Sequence, residues 1–402
     1  MLRVPVTQIK PGMVLARPIP QPNDPHRYLL QRDREIPFQL VPRLLKLGVL
    51  EVWVRHRNLE FLEEVIDENV GDRQREVYWH VRRNFETIMN DAACELEIGK
   101  FQSSISELFD SLKRSSHGSI LLQKLDAFDN VLLSHSTNVC YLSLLLGMKL
   151  EKYLIDERSN KSPREAKDLK DLGLGCILHD VGKMRIPAEI LNKPGKLTAE
   201  EMELMKQHPV FGYEMVKGQV SASAAQVVLN HHQRFCGGGY PERRDRRTGE
   251  LLPSLEGRQI PVFCRLATIC DVYDAATTQR CYSPAKPPVQ VLHEMKTWCQ
   301  GHFDPVVEQA FRETIPAFPI GQTVTLSTGM DAVVVDFNPR HPERPKVQGI
   351  RTPDGESIKN PSLEEIDLAF HREVSIVAAQ GVDIRPFLEE GVEAHAAVGA
   401  VG

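Results

Sequence analysis

The stretch GLGCILHDVGK, residues 173–183, is apolar without interruption up to His179 and then turns polar. A helix with no polar face has to be covered on all sides. His179 and Asp180 therefore emerge directly from a buried segment. RLATICDVYDA, residues 265–275, does the same for Asp271. Imidazoles and carboxylates taken out of water need hydrogen-bond partners or a metal. The chain is thus constrained to a mainly helical core that delivers titratable groups inward, an arrangement from which helical bundles build metal sites.

Further groups of the same kind occur at or near the ends of other predicted helices. His135 lies in NVLLSHSTNVCYLSLLLGMKL, His208 follows LTAEEMELMKQ, and His231 and His232 stand side by side in HHQRFCGGGYP. CDVYDAATTQRCY adds Asp274 and Arg280 to Asp271. Singly, each has an ordinary reading as a core histidine, a solvated aspartate or a polar helix end. Together they form one donor set of imidazoles and carboxylates without cysteine, which suits Fe, Mn, Zn or Ni. Five histidines and two or three aspartates exceed what one ion needs. Two ions roughly 3.5–4 Å apart, bridged by a carboxylate, would use them. Asp180 is the expected bridge, because it adjoins a ligand and has two oxygens to share. Lys183 follows three residues later, on the same face if the helix continues. It is either a cation for a phosphate oxygen or one favoured by a helix C-terminus.

The 402 residues are 42% hydrophobic and 26% charged, an ordinary globular composition with room for two or three domains. A net charge of −5 argues against a nucleic-acid-binding surface. No run of about 18 apolar residues suggests a membrane span, and the N-terminus lacks a signal-peptide core. The eight scattered cysteines contain no C-x-x-C pair and read as reduced thiols in a cytoplasm. Residues 1–56 read as a small α+β module with a turn at Pro11-Gly12. Residues 57–116 carry amphipathic helical spacing and serve either as a connector or as the seam of a homodimer. The region 117–317 is almost wholly helical. Its expected features include a helix ended by Gly182, a capping box at Thr198 and Glu201, and a break at His208 before Pro209. Residues 318–376 read as a small β module, and 377–402 as a frayed tail.

HDVGK, IPAEILNKPGKLTAEEMELMKQHPVFG, HH…GGGYP and DVYDAATTQRCY, in this order, resemble the HD-GYP family of bacterial phosphodiesterases. The resemblance covers roughly residues 120–317. QIKPGMVLARPI and the C-terminal β module are similar to modules that accompany some members. The resemblance implies a helical HD-type metallohydrolase domain that hydrolyses cyclic di-GMP to the linear dinucleotide or on to GMP. It places the metal ligands on His135, His179, Asp180, His208, His231, His232 and Asp271, and the catalytic roles on Asp180 and Lys183. Lys183 and Arg280 match residues that hold substrate phosphates, and Asp129 and Asp274 match acidic residues near the substrate. It also points to a diguanylate cyclase of the GGDEF type as a partner at the glycine-rich loop.

Four positions depart from the family pattern. Gln233 stands where a glutamate is usual, Cys236 where an aspartate is usual, and Ser283 where a basic residue is usual. Val131 replaces the carboxylate that anchors a third ion. Two ions, Fe or Mn ahead of Zn or Ni, are therefore expected, with a weaker grip on phosphate. Lys286 and the RRDRR run at 243–247 are candidates to compensate, although the run also reads as a solvated loop. A low-activity binding protein and a hydrolase of another nucleotide are the competing readings.

Overall fold

Two helices with no polar face form the centre: Val131–Lys149 and Lys170–Leu178. They pack side by side, and Val262–Thr277, Ala222–Asn230 and Ile98–Arg114 close around them. The computed structural model describes residues 1–21, 24–47, 49, 51–65, 73–83, 98–114, 131–245, 247–278, 285–298, 300–358 and 364–388. Small residues set the spacing of the central helices. A Cβ at Gly173 would lie 2.6 Å from Ile105, and one at Gly175 would lie 2.6 Å from Val227. The helix Ile98–Arg114 buries Phe101, Ile105, Leu108 and Leu112 within the chain. Along this helix, the apolar face that suggested a connector or dimer seam is already covered.

The punctuation of the helical region follows its capping chemistry. Thr198 accepts from the Glu201 amide while Glu201 reaches back, a complete capping box, and the helix runs Ala199–Met205. A new helix, His208–Val216, starts with Pro209 in its first turn, where the missing N–H costs nothing. One expectation is corrected. The Lys170–Leu178 helix stops at Leu178, and Gly182 lies inside a following 3-10 turn, Val181–Arg185, rather than ending the helix. Its glycine is needed for contact, not for a left-handed cap: an added Cβ would stand 1.9 Å from the carbonyl oxygen of His208.

The terminal modules are joined to each other. β1 (Leu2–Pro5) pairs antiparallel with β4 (Glu51–Val54), and β2 (Ile19–Gln21) pairs with β3 (Asp24–Leu30). The C-terminal strands β5 (Thr323–Leu326), β6 (Asp331–Asp336), β7 (Lys346–Arg351), β8 (Glu365–Asp367), β9 (Ile376–Ala379) and β10 (Val382–Asp383) form one antiparallel sheet, in the order β10-β9-β5-β6-β7-β8. The Arg3 amide donates to Gly321 at 2.9 Å, and the Gln348 side chain donates to the Asn58 carbonyl at 3.4 Å. Gly321, at φ +82°, lies against the Trp53 ring. The expectation of a frayed tail from residue 377 is also corrected: β9 is paired to β5 on one side and β10 on the other. Short Ala-rich strands carry little β-propensity, so the pairing comes from burial of Ile376 and Ala379. Residues 389–402 lie outside the described residues.

A buried ion cluster ties the helix of Asp271 to its neighbours. Arg265 donates to the Tyr153 hydroxyl at 2.8 Å, to Asp304 at 2.5 Å and to Glu157. Asp304 also caps the helix Pro305–Thr314. Removing one partner of a buried pair costs about 3–5 kcal/mol, because the other charge is left buried and uncompensated. Arg265→Met should therefore lower the thermal midpoint by roughly ten degrees. Scanning calorimetry checks this, and an unchanged midpoint would show that the cluster adds nothing to stability.

Candidate metal centre

Three of the candidate histidines use the same local device. Each follows the last turn of a helix and directs its Nδ1 at the carbonyl three residues back. His179 meets Cys176 at 2.6 Å, His208 meets Met205 at 2.8 Å, and His231 meets Val228 at 2.9 Å. The last carbonyls of a helix lack intrahelical donors, so the contact satisfies them. It requires the proton on Nδ1 and leaves the Nε2 lone pair facing inward. His231 is held further by the Thr268 hydroxyl, which donates to its carbonyl at 2.7 Å. His135 is oriented differently, by a carboxylate: its Nδ1 lies 2.8 Å from Asp274 Oδ2.

The seven side chains expected as ligands converge. His135, His179 and Asp180 form one group, Asp180, His208, His231 and His232 another, and His179, His231 and Asp271 a third that shares a histidine with each. Within each group the donor atoms are all within 4.8 Å of one another. Asp180 belongs to both sides. Its Oδ2 lies 3.4 Å from His179 and 3.8 Å from His135, while its Oδ1 lies 3.2 Å from His208 and 3.9 Å from His231. Asp271 places Oδ1 2.9 Å from His135 and Oδ2 3.7 Å from His232. The Nε2 atom of His179 and the Oδ1 atom of Asp180 are buried and make no hydrogen bond. Buried orphan atoms within a set of imidazoles and carboxylates fit a bound transition metal.

The electrostatics favour ionised carboxylates at Asp180 and Asp271 and neutral rings at three of the imidazoles. Burial raises the cost of charge on Asp180, yet Lys183 and the neighbouring imidazoles hold its carboxyl well below the usual range. Burial is likewise outweighed at Asp271, chiefly by His135. Burial lowers His179 and His231, and takes His232 down to about 3, so these rings are neutral and able to donate a lone pair. At His135 burial acts downward, but the contacts with Asp271 and Asp274 prevail and lift it to about 9.

The remaining candidates divide. Lys183 is at the centre, its Nζ donating to Asp180 Oδ2 at 2.6 Å. Asp274 was expected among substrate-facing residues, but it is 0% exposed and lies behind His135. It orients that ring from behind the donor set instead. Asp129, Arg280 and Ser283, and the side chain of Val131, lie outside the described residues. Lys286 is paired with Glu294 at 2.6 Å. In the RRDRR run, Arg243 and Arg244 bond the carbonyls of Pro253 and Gly249 in an exposed loop. The glycine-rich loop is held on both flanks. Phe235 and Cys236 donate their amides to His302 and Gly301, and Gln233 Nε2 donates to the Pro241 carbonyl at 2.9 Å. Tyr240 stacks on His232 with centroids 4.4 Å apart, a contact the sequence reading missed. Tyr240 and His232 are eight residues apart, so helical or strand periodicity does not signal it.

The fold is helical around one convergent set of imidazole and carboxylate donors. Residues 151–307 match the family model described as HD domain. Residues 323–382 match the model described as KOW domain associated with HD domain. The chain is 35% identical over 246 residues to cyclic di-GMP phosphodiesterase PA4108 of Pseudomonas aeruginosa, covering 61% of this chain and 54% of that protein. It is 36% identical over 135 residues to the cyclic di-GMP phosphodiesterase response regulator RpfG of Xanthomonas campestris, covering 33% and 32%. It is 34% identical over 139 residues to 3'3'-cGAMP-specific phosphodiesterase 2 of Vibrio cholerae, covering 34% and 24%. The chain thus spans about half the length of the first relative and less of the other two. No helix among the described residues is long and apolar enough to cross a membrane.

Proposed function

We propose that this chain is a metal-dependent phosphodiesterase that hydrolyses cyclic di-GMP. One observation carries the reading: two groups of inward-facing donors share the carboxylate of Asp180. Two divalent ions are assigned, Fe or Mn ahead of Zn or Ni, all of which an imidazole and carboxylate set without cysteine suits. His135, His179 and Asp271 would hold one, His208, His231 and His232 the other, and Asp180 both. When bound, such ions supply activation of water and stabilisation of charge at phosphorus.

The chain's own residues supply the rest. Carbonyl contacts at His179, His208 and His231 hold Nε2 available as a lone pair. Asp274 fixes the ring of His135, and Tyr240 covers His232. Lys183 stands at the edge of the centre, where an ammonium meets a phosphate oxygen with a charge-assisted hydrogen bond. The departures at Gln233 and Cys236 leave the donor set intact, since neither residue belongs to it; Gln233 anchors the loop through its side chain and Cys236 through its backbone amide. That favours an enzyme over a scaffold. The relatives' names divide between cyclic di-GMP and 3'3'-cGAMP. Both are cyclic dinucleotides with two phosphodiester bonds, so 3'3'-cGAMP is the competing substrate.

Purified protein given Mn²⁺ or Fe²⁺ and each cyclic dinucleotide, with chromatography of the products, tests the reading. Turnover of neither would refute it. The resemblance links a third ion to complete hydrolysis, and Val131 has no donor atom. The linear dinucleotide should therefore accumulate before GMP. GMP rising without that lag would contradict the two-ion assignment.

A further inference from the structure

Lys183 bonds to the same oxygen of Asp180 that faces one half of the centre. Its Nζ is 2.6 Å from Oδ2, the atom 3.4 Å from His179 Nε2 and 3.8 Å from His135 Nε2. The other oxygen, Oδ1, faces His208 and His231. Among the described residues Asp180 is the only carboxylate within ion-pair distance of Lys183. The Lys183 side chain is 18% exposed while Asp180 is 1% exposed, so the ammonium reaches inward from the surface and has a way back out. It stands on a short 3-10 turn with a flexible four-carbon stem.

We propose that Lys183 couples metal loading to oxyanion binding, because its ammonium and the ion in the His135–His179 half compete for Oδ2 of Asp180. Two like charges cannot share one carboxylate oxygen at hydrogen-bond distance without loss. A metal at that half therefore weakens the Lys183–Asp180 bond and releases the ammonium toward an oxyanion. Linkage makes the effect reciprocal: an oxyanion that draws Lys183 outward strengthens metal binding by the same factor. The inference rests on the reading of the site as a metal centre. It goes beyond that reading by making an empty oxyanion site and an empty metal site support each other. The His208–His231 half is not part of the competition, since Lys183 does not touch Oδ1.

Mn²⁺ titration by calorimetry, on apo-protein, with and without sulfate at matched ionic strength, tests the coupling without any nucleotide. Wild-type protein should bind one Mn²⁺ more tightly when sulfate is present. Lys183→Met should bind that ion about fivefold or more tightly from the start, within the usual range of such couplings, and should not respond to sulfate. Arg185→Met removes an exposed charge from the same turn and should behave as wild type, which separates competition from a general field effect. Circular dichroism confirms the fold, and Lys183→Gln replaces Lys183→Met if the latter misfolds. Unchanged or weaker Mn²⁺ affinity in the Lys183 variants, or a sulfate response that survives in them, would overturn the proposal. Hydrolysis of cyclic di-GMP is assayed separately. Coupling without hydrolysis would leave this inference standing and remove the proposed substrate, and hydrolysis without coupling would do the reverse.

Discussion

Asp180→Ala is expected to abolish hydrolysis and to strip most of the transition metal from the protein. Among the described residues Asp180 is the one side chain common to the His135–His179 group and the His208–His231–His232 group, with one oxygen toward each. Each histidine serves chiefly one group, so losing His208 or His135 leaves the other with its donors. Loss of Asp180 takes a ligand from both and the shared anion between them. Changing a residue that merely orients a ligand already costs about 10–100-fold in affinity or activity. Loss of the shared ligand should exceed that, on the order of a thousandfold or more in activity. Asp274→Asn, which disturbs only the support of His135, should fall in the smaller range. His179→Ala should resemble Asp180→Ala in activity while retaining more metal, because the His208–His231–His232 side keeps its donors. Elemental analysis and product chromatography on the same preparations separate the cases. An Asp180→Ala protein that is free of metal and still hydrolyses cyclic di-GMP would sink the metal-centre reading.

What could be read from the sequence followed the range of the signals. His179, Asp180 and Asp271 were visible because each ends or interrupts an apolar run, a local pattern. The break at His208 was visible because Pro209 alters its own neighbourhood. The role of Asp274 was not visible. Whether it faces a substrate or supports His135 depends on how Val262–Thr277 is rotated against Val131–Lys149, a tertiary fact. Gly182 was misread for a similar reason. Near a helix end, glycine most often signals a left-handed cap, and the requirement for close approach comes from a segment 26 residues away, at His208. Strands β9 and β10 were lost in a small-residue tail, since β10 pairs on β9 and β9 pairs on a strand that starts at Thr323. Contacts such as Arg3 with Gly321 join opposite ends of the chain and leave no local trace.

Gly182→Ala should lower stability and empty one side of the centre together. A Cβ there would lie 1.9 Å from the His208 carbonyl oxygen, 2.4 Å from the Gly212 amide nitrogen and 2.9 Å from the His208 carbonyl carbon. All three atoms are backbone, so no rotamer change relieves the overlap. The 3-10 turn Val181–Arg185 and the helix His208–Val216 must move apart. Overpacking of this kind costs about 1–3 kcal/mol, and more where nothing can yield. The functional effect follows from what stands on each side of the contact. Asp180 begins the turn and His208 begins the helix, and their donor atoms are 3.2 Å apart. Metal–ligand distances tolerate only about 0.2 Å. A shift large enough to seat a methyl group therefore takes His208 out of reach of any ion shared with Asp180. The expected protein is folded, melts several degrees lower, and holds about one ion fewer than wild type. Gly212→Ala gives the contrast. Its Cβ would stand 2.9 Å from a Val228 methyl and 3.2 Å from the Gly182 nitrogen, so its closest clash is with a side chain that can turn. It should lose stability but keep more of its metal. Calorimetry with elemental analysis on both variants decides the matter. If Gly182→Ala keeps the wild-type midpoint and metal content, the backbone contact does not set the distance between Asp180 and His208.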